Sequence, residues 1–229
     1  MLQFERQAWD AGYHRVGGVD EAGRGPLAGP VVAAALVVDA HFLRSNEHDQ
    51  FEKLTDSKQL TVNQREFFFD ILTRSPHVEI GVGMADAAEI DEKNILHATH
   101  LAMARAIARL VPLPDHVLVD GLFVPGLPCS STPIVDGDAK SLLIAGASVV
   151  AKVTRDRLMR ELDREYPGYG FAEHKGYGTK HHAQALLEHG PTPVHRRTFR
   201  PVRDIIRIRA WIEENGRPPS GRNGFKPVL

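Results

Sequence analysis

The sequence predicts a sheet protein of the α/β or α+β class, and three observations predict it. Runs of β-branched and small apolar residues, bounded by Gly and Pro, recur at strand length. Other segments repeat apolar residues every three or four positions, which is the helical period. Three strands come first, then a long helix, then two further strands with helices, an order that builds a sheet covered by helical layers.

Residues 16–20 and 29–38 read as the first two strands, separated by a Gly/Pro-rich stretch, and 78–84 as the third. A short helix over 61–72 lies between them, with Thr61 as its N-cap and Arg65 and Glu66 inside it. The clearest helix spans 91–110, where Ile95, Thr99, Ala102, Met103, Ala106, Ile107 and Leu110 mark one face and Pro112 ends it. Residues 116–120 (HVLVD) form a short buried strand stopped by Gly121, and 133–135 another. A long helix follows over 141–166, stopped by Pro167-Gly168. Its first half is apolar nearly all round, as expected of a helix buried between layers. Helices over 180–189 and 202–214 precede a polar, Gly/Pro-rich tail expected to be flexible.

At 229 residues the chain suits one domain with an appendage, and at 42% hydrophobic and 25% charged residues it is of ordinary globular composition. Cys129 is the sole cysteine, which excludes an internal disulfide and a thiolate metal cluster. The first fifteen residues lack the apolar centre of a signal peptide, and no apolar run approaches the ~20 residues of a membrane helix. A soluble cytoplasmic protein is expected. From Thr192 onward nine Lys or Arg face three Asp or Glu, a basic tail on a more acidic body. That asymmetry suits a polyanion handled by a carboxylate site, although on charge alone a solvated face is the better reading.

Four acidic residues stand where strands end. Asp20 and Glu21 close the first strand, Asp120 closes HVLVD, and Asp138 follows the short strand before the buried helix. Functional side chains gather at such ends because the backbone releases them into a crevice. Buried carboxylates are costly unless paired or bound to a cation. Any one of these could simply cap a turn; four together point to a hard cation, Mg²⁺ or Mn²⁺, and to phosphoryl transfer with two ions flanking the phosphate. Because neighbours on a strand face opposite ways, Asp20 and Glu21 can share a site only if the strand breaks there, and Gly23 and Gly25 offer such a break.

Residues 23–28 (GRGPLA) formally match a dinucleotide fingerprint, but that motif must open a helix and here a strand-like run follows. A Gly-Arg-Gly loop beside carboxylates can instead bring bare backbone groups close to a substrate, with Arg24 adding a phosphate contact. A hairpin loop with an incidental Arg has the same spacing.

The segment from Val19 to Pro30 (VDEAGRGPLAGP) resembles the signature of ribonuclease HII. The resemblance continues through residues 56–60 (DSKQL), 91–99 (DEKNILHAT), 118–121 (LVDG), Gly137-Asp138, 147–156 (ASVVAKVTRD), 169–171 (YGF), 174–177 (HKGY) and 195–199 (HRRTF). It covers about Arg15 to Val202 in consistent order. It implies an RNase H-like fold, a mixed five-stranded sheet flanked by helices, with a helical C-terminal extension. The implied division is a catalytic domain over 1–178, the extension packed on it over 179–214, and a flexible tail over 215–229. Asp20, Glu21, Asp120 and Asp138 match the family's metal-binding carboxylates, which hold two Mn²⁺ or Mg²⁺ ions during catalysis. Gly23, Arg24 and Gly25 match the loop that senses the ribose 2′-OH. Tyr177 matches the tyrosine that packs on the deoxyribose just beyond a ribonucleotide; without the resemblance it reads as an ordinary core or surface aromatic. The related HIII type lacks Gly-Arg-Gly and carries a domain ahead of the catalytic one, for which Asp20 leaves no room. One position departs: the family often has Lys-Gly-Asp where this chain has Asp136-Gly137-Asp138. That reversed charge bears on a phosphate contact and on metal preference. Alignment with the following helix favours Asp138 as the fourth ligand.

Ser57, Lys58, Ser148, Lys152 and Arg155 are candidates for the nucleic-acid backbone, with Lys58 and Lys152 foremost. Arg155 and Asp156 could equally form an internal ion pair. His174-Lys175 could lie near the scissile phosphate or support Tyr177, and the supporting role is the first reading. His181-His182 has no metal-ligand spacing partner and reads as a surface helix start. Arg196, Arg197, Arg200 and Arg203 could grip a duplex or tie the last helix to the acidic body. The expected function is a monomeric endoribonuclease acting on RNA–DNA hybrids and on duplex DNA carrying single ribonucleotides. A non-catalytic hybrid-binding module is disfavoured because uncompensated acids repel a polyanion, and a small-molecule phosphohydrolase would not need the basic tail.

Overall fold

A computed structural model describes residues 1–45, 51 and 53–216. The tail expected over 215–229 lies, from residue 217 on, outside the described residues. The elements run α1 (Gln3–Asp10), β1 (Val16–Ala22), β2 (Val31–Val38), α2 (Ala40–Arg44), α3 (Val62–Arg74), β3 (Val78–Ala85), α4 (Ala87–Ile107), β4 (His116–Asp120) and β5 (Ser130–Ile134). A 3-10 turn (Gly137–Ala139) leads into α5 (Leu142–Glu165), followed by α6 (Phe171–His174), α7 (Lys180–His189) and α8 (Arg200–Asn215). The five strands form one mixed sheet in the order β3-β2-β1-β4-β5. β1, β2 and β3 pair antiparallel, while β4 lies parallel to β1 and β5 parallel to β4.

The chain divides into two compact units. The first holds Met1–Ala22, Val31–Ala85 and Leu96–Arg155, hence the whole sheet; the second holds Gly23–Pro30, Asp86–Ile95 and the chain from Asp156 on. In the first, β2 is buried along its entire length, which explains its unbroken apolar sequence: a central strand covered on both faces has no polar side. The glycines show what covers each face. A Cβ on Gly18 would lie 2.2 Å from the Leu143 carbonyl carbon, so α5 rests directly on β1. Gly81 and Gly83 meet the Ala106 and Ala102 carbonyls of α4 in the same way. Gly18 is paired with Leu36 and Leu36 with Ile80, whereas Gly81 and Gly83 pair with Ala35 and Ala33. Strand alternation therefore puts α5 on one face of the sheet and α4 on the other. The second unit has its own core around Leu27, Met159, Tyr169, Phe171, Leu186 and Val202.

Some boundaries differ from expectation for physical reasons. The helix expected over 91–110 begins earlier, at Ala87, where Asp86 and Glu89 cap each other's backbone N–H groups. It is also interrupted at Asn94 (φ 65°, ψ 164°), which periodicity cannot reveal because it counts residues and not dihedrals. β5 starts three residues before the expected 133–135; its polar sequence conceals it, and as an edge strand it tolerates Pro133. Thr61 caps α3 through a reciprocal box with Gln64.

Helix α1 escaped the sequence reading because its buried positions are Ala8 and Glu5. Glu5 is fully buried, and its Oε1 accepts from Ser141 Oγ at 2.6 Å and Leu143 N at 3.1 Å, at the start of α5. Its Oε2 has no partner, and burial raises its pKa against the lowering effect of those two hydrogen bonds. Glu5 thus ties α1 to the helix that backs the sheet. Glu5→Ala strands two buried donors and is expected to cost about 2–4 kcal/mol in urea denaturation. Glu5→Gln keeps an acceptor and should cost much less; equal losses would contradict this role.

Candidate active site

Parallel pairing brings the first two carboxylates side by side. Val19 pairs with Val119, so Asp20 and Asp120 are the next residues on adjacent strands and project from the α5 face. The third comes from the turn before α5: Asp138 sits in the 3-10 segment, entered through Asp136 in a left-handed conformation (φ 55°, ψ 42°). One carboxylate oxygen each from Asp20, Asp120 and Asp138 lie within 4.8 Å of one another. Gly137 makes this convergence possible. Its N–H donates to Asp120 Oδ1 at 2.7 Å, and a Cβ there would lie 2.6 Å from Ile144 Cδ1.

Glu21 is not in this group. β1 does not break at Glu21: it stays paired with β2 through Ala22, and Glu21 is outside the group of oxygens that converges within 4.8 Å. Its charge still reaches Asp20. Burial raises the Asp20 pKa well above its ordinary 3.8, and the charges of Glu21 and Asp120 add to the rise, against hydrogen bonds from the Glu21 N–H and Ser148. Asp138 is raised as well, first by burial, with Asp120 adding to it and Lys58 opposing it. Lys58 Nζ lies 3.2 Å from Asp138 Oδ2 and 3.9 Å from Asp56 Oδ1. Burial works against the Lys58 charge, but the hydrogen bond to Asp138 and the charges of Asp138, Asp56 and Asp20 outweigh it and raise its pKa.

Ser57 is buried, and its hydroxyl lies 2.7 Å from that of Ser148, so it backs the Ser148–Asp20 hydrogen bond. Arg65 fixes this turn through the Ser57 and Leu60 carbonyls. Lys152, half-buried, follows Ser148 by one turn of α5. Three converging carboxylates, with no thiolate or imidazole among them and with Asp20 and Asp138 holding their protons more tightly than usual, are a donor set matched to a hard divalent cation.

In the second unit the Gly-Arg-Gly loop is fixed from behind by Arg196, which is completely buried. Its guanidinium donates to the Gly23 carbonyl at 2.6 Å, Arg24 at 2.8 Å and Gly29 at 2.9 and 3.0 Å, with Phe199 stacked beneath at 5.1 Å. Backbone bonds from Leu27 N to Gly176 O and from Gly29 N to Val194 O complete the frame. Arg24 and Gly25 remain exposed. Tyr177, 50% exposed, places Cε1 3.5 Å from where a Gly25 Cβ would stand, so ring and loop form one surface.

The sequence model of the ribonuclease HII family matches residues 17–202. The chain belongs to the ribonuclease HII family. It is 50% identical over 209 residues to the ribonuclease HII of Geobacillus kaustophilus, covering 90% of this chain and 76% of that protein. It is 51% identical over 203 residues to that of Chlamydia trachomatis, covering 89% and 90%. The crystal structure of the ribonuclease H2 from Pyrococcus horikoshii superposes with a TM-score of 0.71 at 29% identity, covering 88% of this chain and all of that one. The fold is therefore RNase H-like, and the enzyme class is that of metal-dependent nucleases.

In the second unit two residues went unread in the sequence. Arg196 is fully buried and not a surface grip on a duplex: it ties the C-terminal segment to the backbone of residues 23–29. His182, expected at a surface helix start, is fully buried and hydrogen-bonded, whereas His181 is exposed. His174 supports Tyr177 as expected, its carbonyl accepting from Tyr177 N at 3.0 Å. A buried Arg amid Gly-rich backbone leaves no periodic signal.

Two outcomes are expected. Asp20 and Asp138 hold their protons to higher pH when folded than when unfolded. The stability they allow without metal is thus fully present below the ordinary carboxylate value of 3.8 and is lost as pH rises through the raised values. Asp20→Asn should therefore raise the melting temperature of the metal-free protein at neutral pH and flatten its pH dependence; a lowered one would contradict the charge crowding. Arg196→Lys cannot reach all three carbonyls. It should cost about 2–4 kcal/mol and speed amide exchange at Leu27 and Gly29, and unchanged exchange would refute the bracing role.

Proposed function

We propose that this chain hydrolyses the RNA strand of RNA–DNA hybrids and nicks duplex DNA on the 5′ side of single embedded ribonucleotides, leaving 3′-hydroxyl and 5′-phosphate ends. The observation that carries this reading is the convergence of Asp20, Asp120 and Asp138 within 4.8 Å in a chain of this family. These three would hold Mg²⁺ or Mn²⁺ together with Glu21 as the fourth carboxylate, whose charge already acts on Asp20. Bound there, two ions would supply the positive charge that activates a water and stabilises the leaving oxygen.

The chain's own residues aim and select. The Gly137 N–H fixes Asp120, and the Ser57–Ser148 pair fixes Asp20, so Ser57 serves the substrate through the carboxylate it supports. Lys58, whose side chain is 77% exposed, can turn from Asp138 to a substrate phosphate, and Lys152 offers a second phosphate contact. The exposed backbone of Gly23, Arg24 and Gly25 would read the 2′-OH, the group that separates RNA from DNA. Tyr177 would pack on the deoxyribose beyond the ribonucleotide. Asp136, exposed at the lip of the turn, would weaken phosphate contact there without entering the carboxylate group.

Residues 1–178 would carry chemistry and recognition, and 179–214 would brace them, as the bonds from Arg196 to the loop suggest. All proposed residues come from one chain, so a monomer suffices, and a cytoplasmic enzyme is the reading that goes with this function. No helix among the described residues is long and apolar enough to cross a membrane.

The test is cleavage of a DNA duplex carrying one ribonucleotide in Mn²⁺, Mg²⁺ and EDTA. A metal-dependent nick just 5′ of the ribonucleotide is expected. Asp20→Asn or Asp120→Asn should lower the rate by about 10³-fold or more, with a smaller loss for Glu21→Gln. Cleavage confined to long RNA stretches would remove the junction reading, and turnover near wild type in either Asn variant would overturn the assignment.

A further inference from the structure

Tyr177 is half exposed, yet its backbone is held by a network that is almost wholly buried. His182 and His195 are 0% and 1% exposed. His182 Nδ1 lies 2.9 Å from the Tyr177 carbonyl oxygen, and the two Nε2 atoms lie 3.0 Å apart. His195 Nδ1 meets the Thr192 N–H at 3.0 Å and Thr192 Oγ1 at 2.9 Å. On the other side of the same turn, His174 Nδ1 accepts from Gly176 N and its Nε2 donates to the Tyr169 carbonyl.

These partners permit one order of protons. A carbonyl only accepts, so His182 Nδ1 must carry hydrogen, which leaves Nε2 of the neutral ring as an acceptor. His195 Nε2 must then donate, and its bare Nδ1 accepts from Thr192. A proton added to His182 would set two N–H groups against each other across 3.0 Å, and one added to His195 would face the Thr192 N–H.

We propose that His182 and His195 form a positioning pair, neutral and with this fixed proton order, that holds Tyr177 in place against the Gly-Arg-Gly loop. The consequence for cleavage rests on the reading of Tyr177 as the residue that checks the ribonucleotide junction. The surroundings favour neutral rings. Tyr169 and Phe171 pack against His195, while the His174 ring stacks on His182 at 4.7 Å. The titratable and charged neighbours are His174 and His181 beside His182, Arg197 beside His195, Glu173 beside His174, and His189 against Tyr169. Burial first, then neighbouring positive charge, lowers His182 to about 4 and His195 to about 3, with the backbone hydrogen bonds opposing. A side chain whose backbone is fixed from both sides meets substrate already ordered, which is what a junction check requires.

Two readouts test the pair. Long-range ¹H–¹⁵N spectra of histidine-labelled protein should show His182 as the Nδ1–H tautomer and His195 as Nε2–H, both unchanged from about pH 8 to 5. A charged ring or the opposite tautomers would overturn the proposal. In cleavage assays His182→Ala should lose about 10-fold at a single embedded ribonucleotide while staying within about 2-fold in long RNA stretches, and His182→Asn, which keeps a donor for the Tyr177 carbonyl, should restore most of it. Adding His182→Ala to Tyr177→Ala should bring no further loss. Equal losses on both substrates, or no rescue by Asn, would reduce the pair to a structural role and refute the proposal. If Tyr177→Ala itself spares single-ribonucleotide cleavage, the junction reading falls. The proposal is then decided by whether His182→Ala sets the Tyr177 ring signals in motion.

Discussion

The rest of the structure is arranged around one electrostatic constraint, three carboxylates crowded where β1, β4 and the turn before α5 meet. Burial and mutual repulsion raise the proton affinity of two of them, so the metal-free fold carries a destabilised cluster. Such a cluster persists only where its surroundings fix each member. Parallel pairing sets Asp20 beside Asp120, a glycine N–H locks Asp120, and a serine pair restrains Asp20. Lys58 neutralises part of Asp138 from the outside, leaving the inner charge for a divalent cation.

The second unit solves a different problem with similar means. A loop rich in glycine has little of its own to hold it, yet the proposed reading of a 2′-OH needs its backbone fixed. Arg196 supplies that order by donating to three loop carbonyls, and the histidine pair does the same for the carbonyl of Tyr177. In both cases buried polar groups, satisfied by backbone partners, support the exposed surface of Arg24, Gly25 and Tyr177. Loosening either brace would leave backbone carbonyls of the loop or of Tyr177 without these donors, so stability and the order of this surface are linked.

Much of this was legible in the sequence. The strands β1 to β4 announce themselves by β-branched composition, and the carboxylates by acidic residues closing apolar strands. The position of Glu21 was half legible: strand alternation raised the difficulty, and although the strand stays paired through Ala22, the Glu21 charge acts on Asp20. The kink at Asn94, the polar first residues of β5 and helix α1 were not legible: dihedrals leave no trace in periodicity, the edge strand opens on Ser and Thr, and α1 buries a carboxyl that periodicity scores as surface. Arg196 and His182 stayed hidden for the same reason. Polar residues buried against backbone look, in sequence, like a solvated face.

The measurement that bears most directly on the carboxylate cluster is calorimetric titration with Mn²⁺ in buffers of differing ionisation enthalpy, which counts the protons displaced on binding. If Asp20 and Asp138 hold protons that a cation must expel, binding releases protons, the release grows as pH falls toward the carboxylate range, and Asp138→Asn diminishes it. Binding with no proton release at any pH, or binding untouched by Asp138→Asn, would contradict the account.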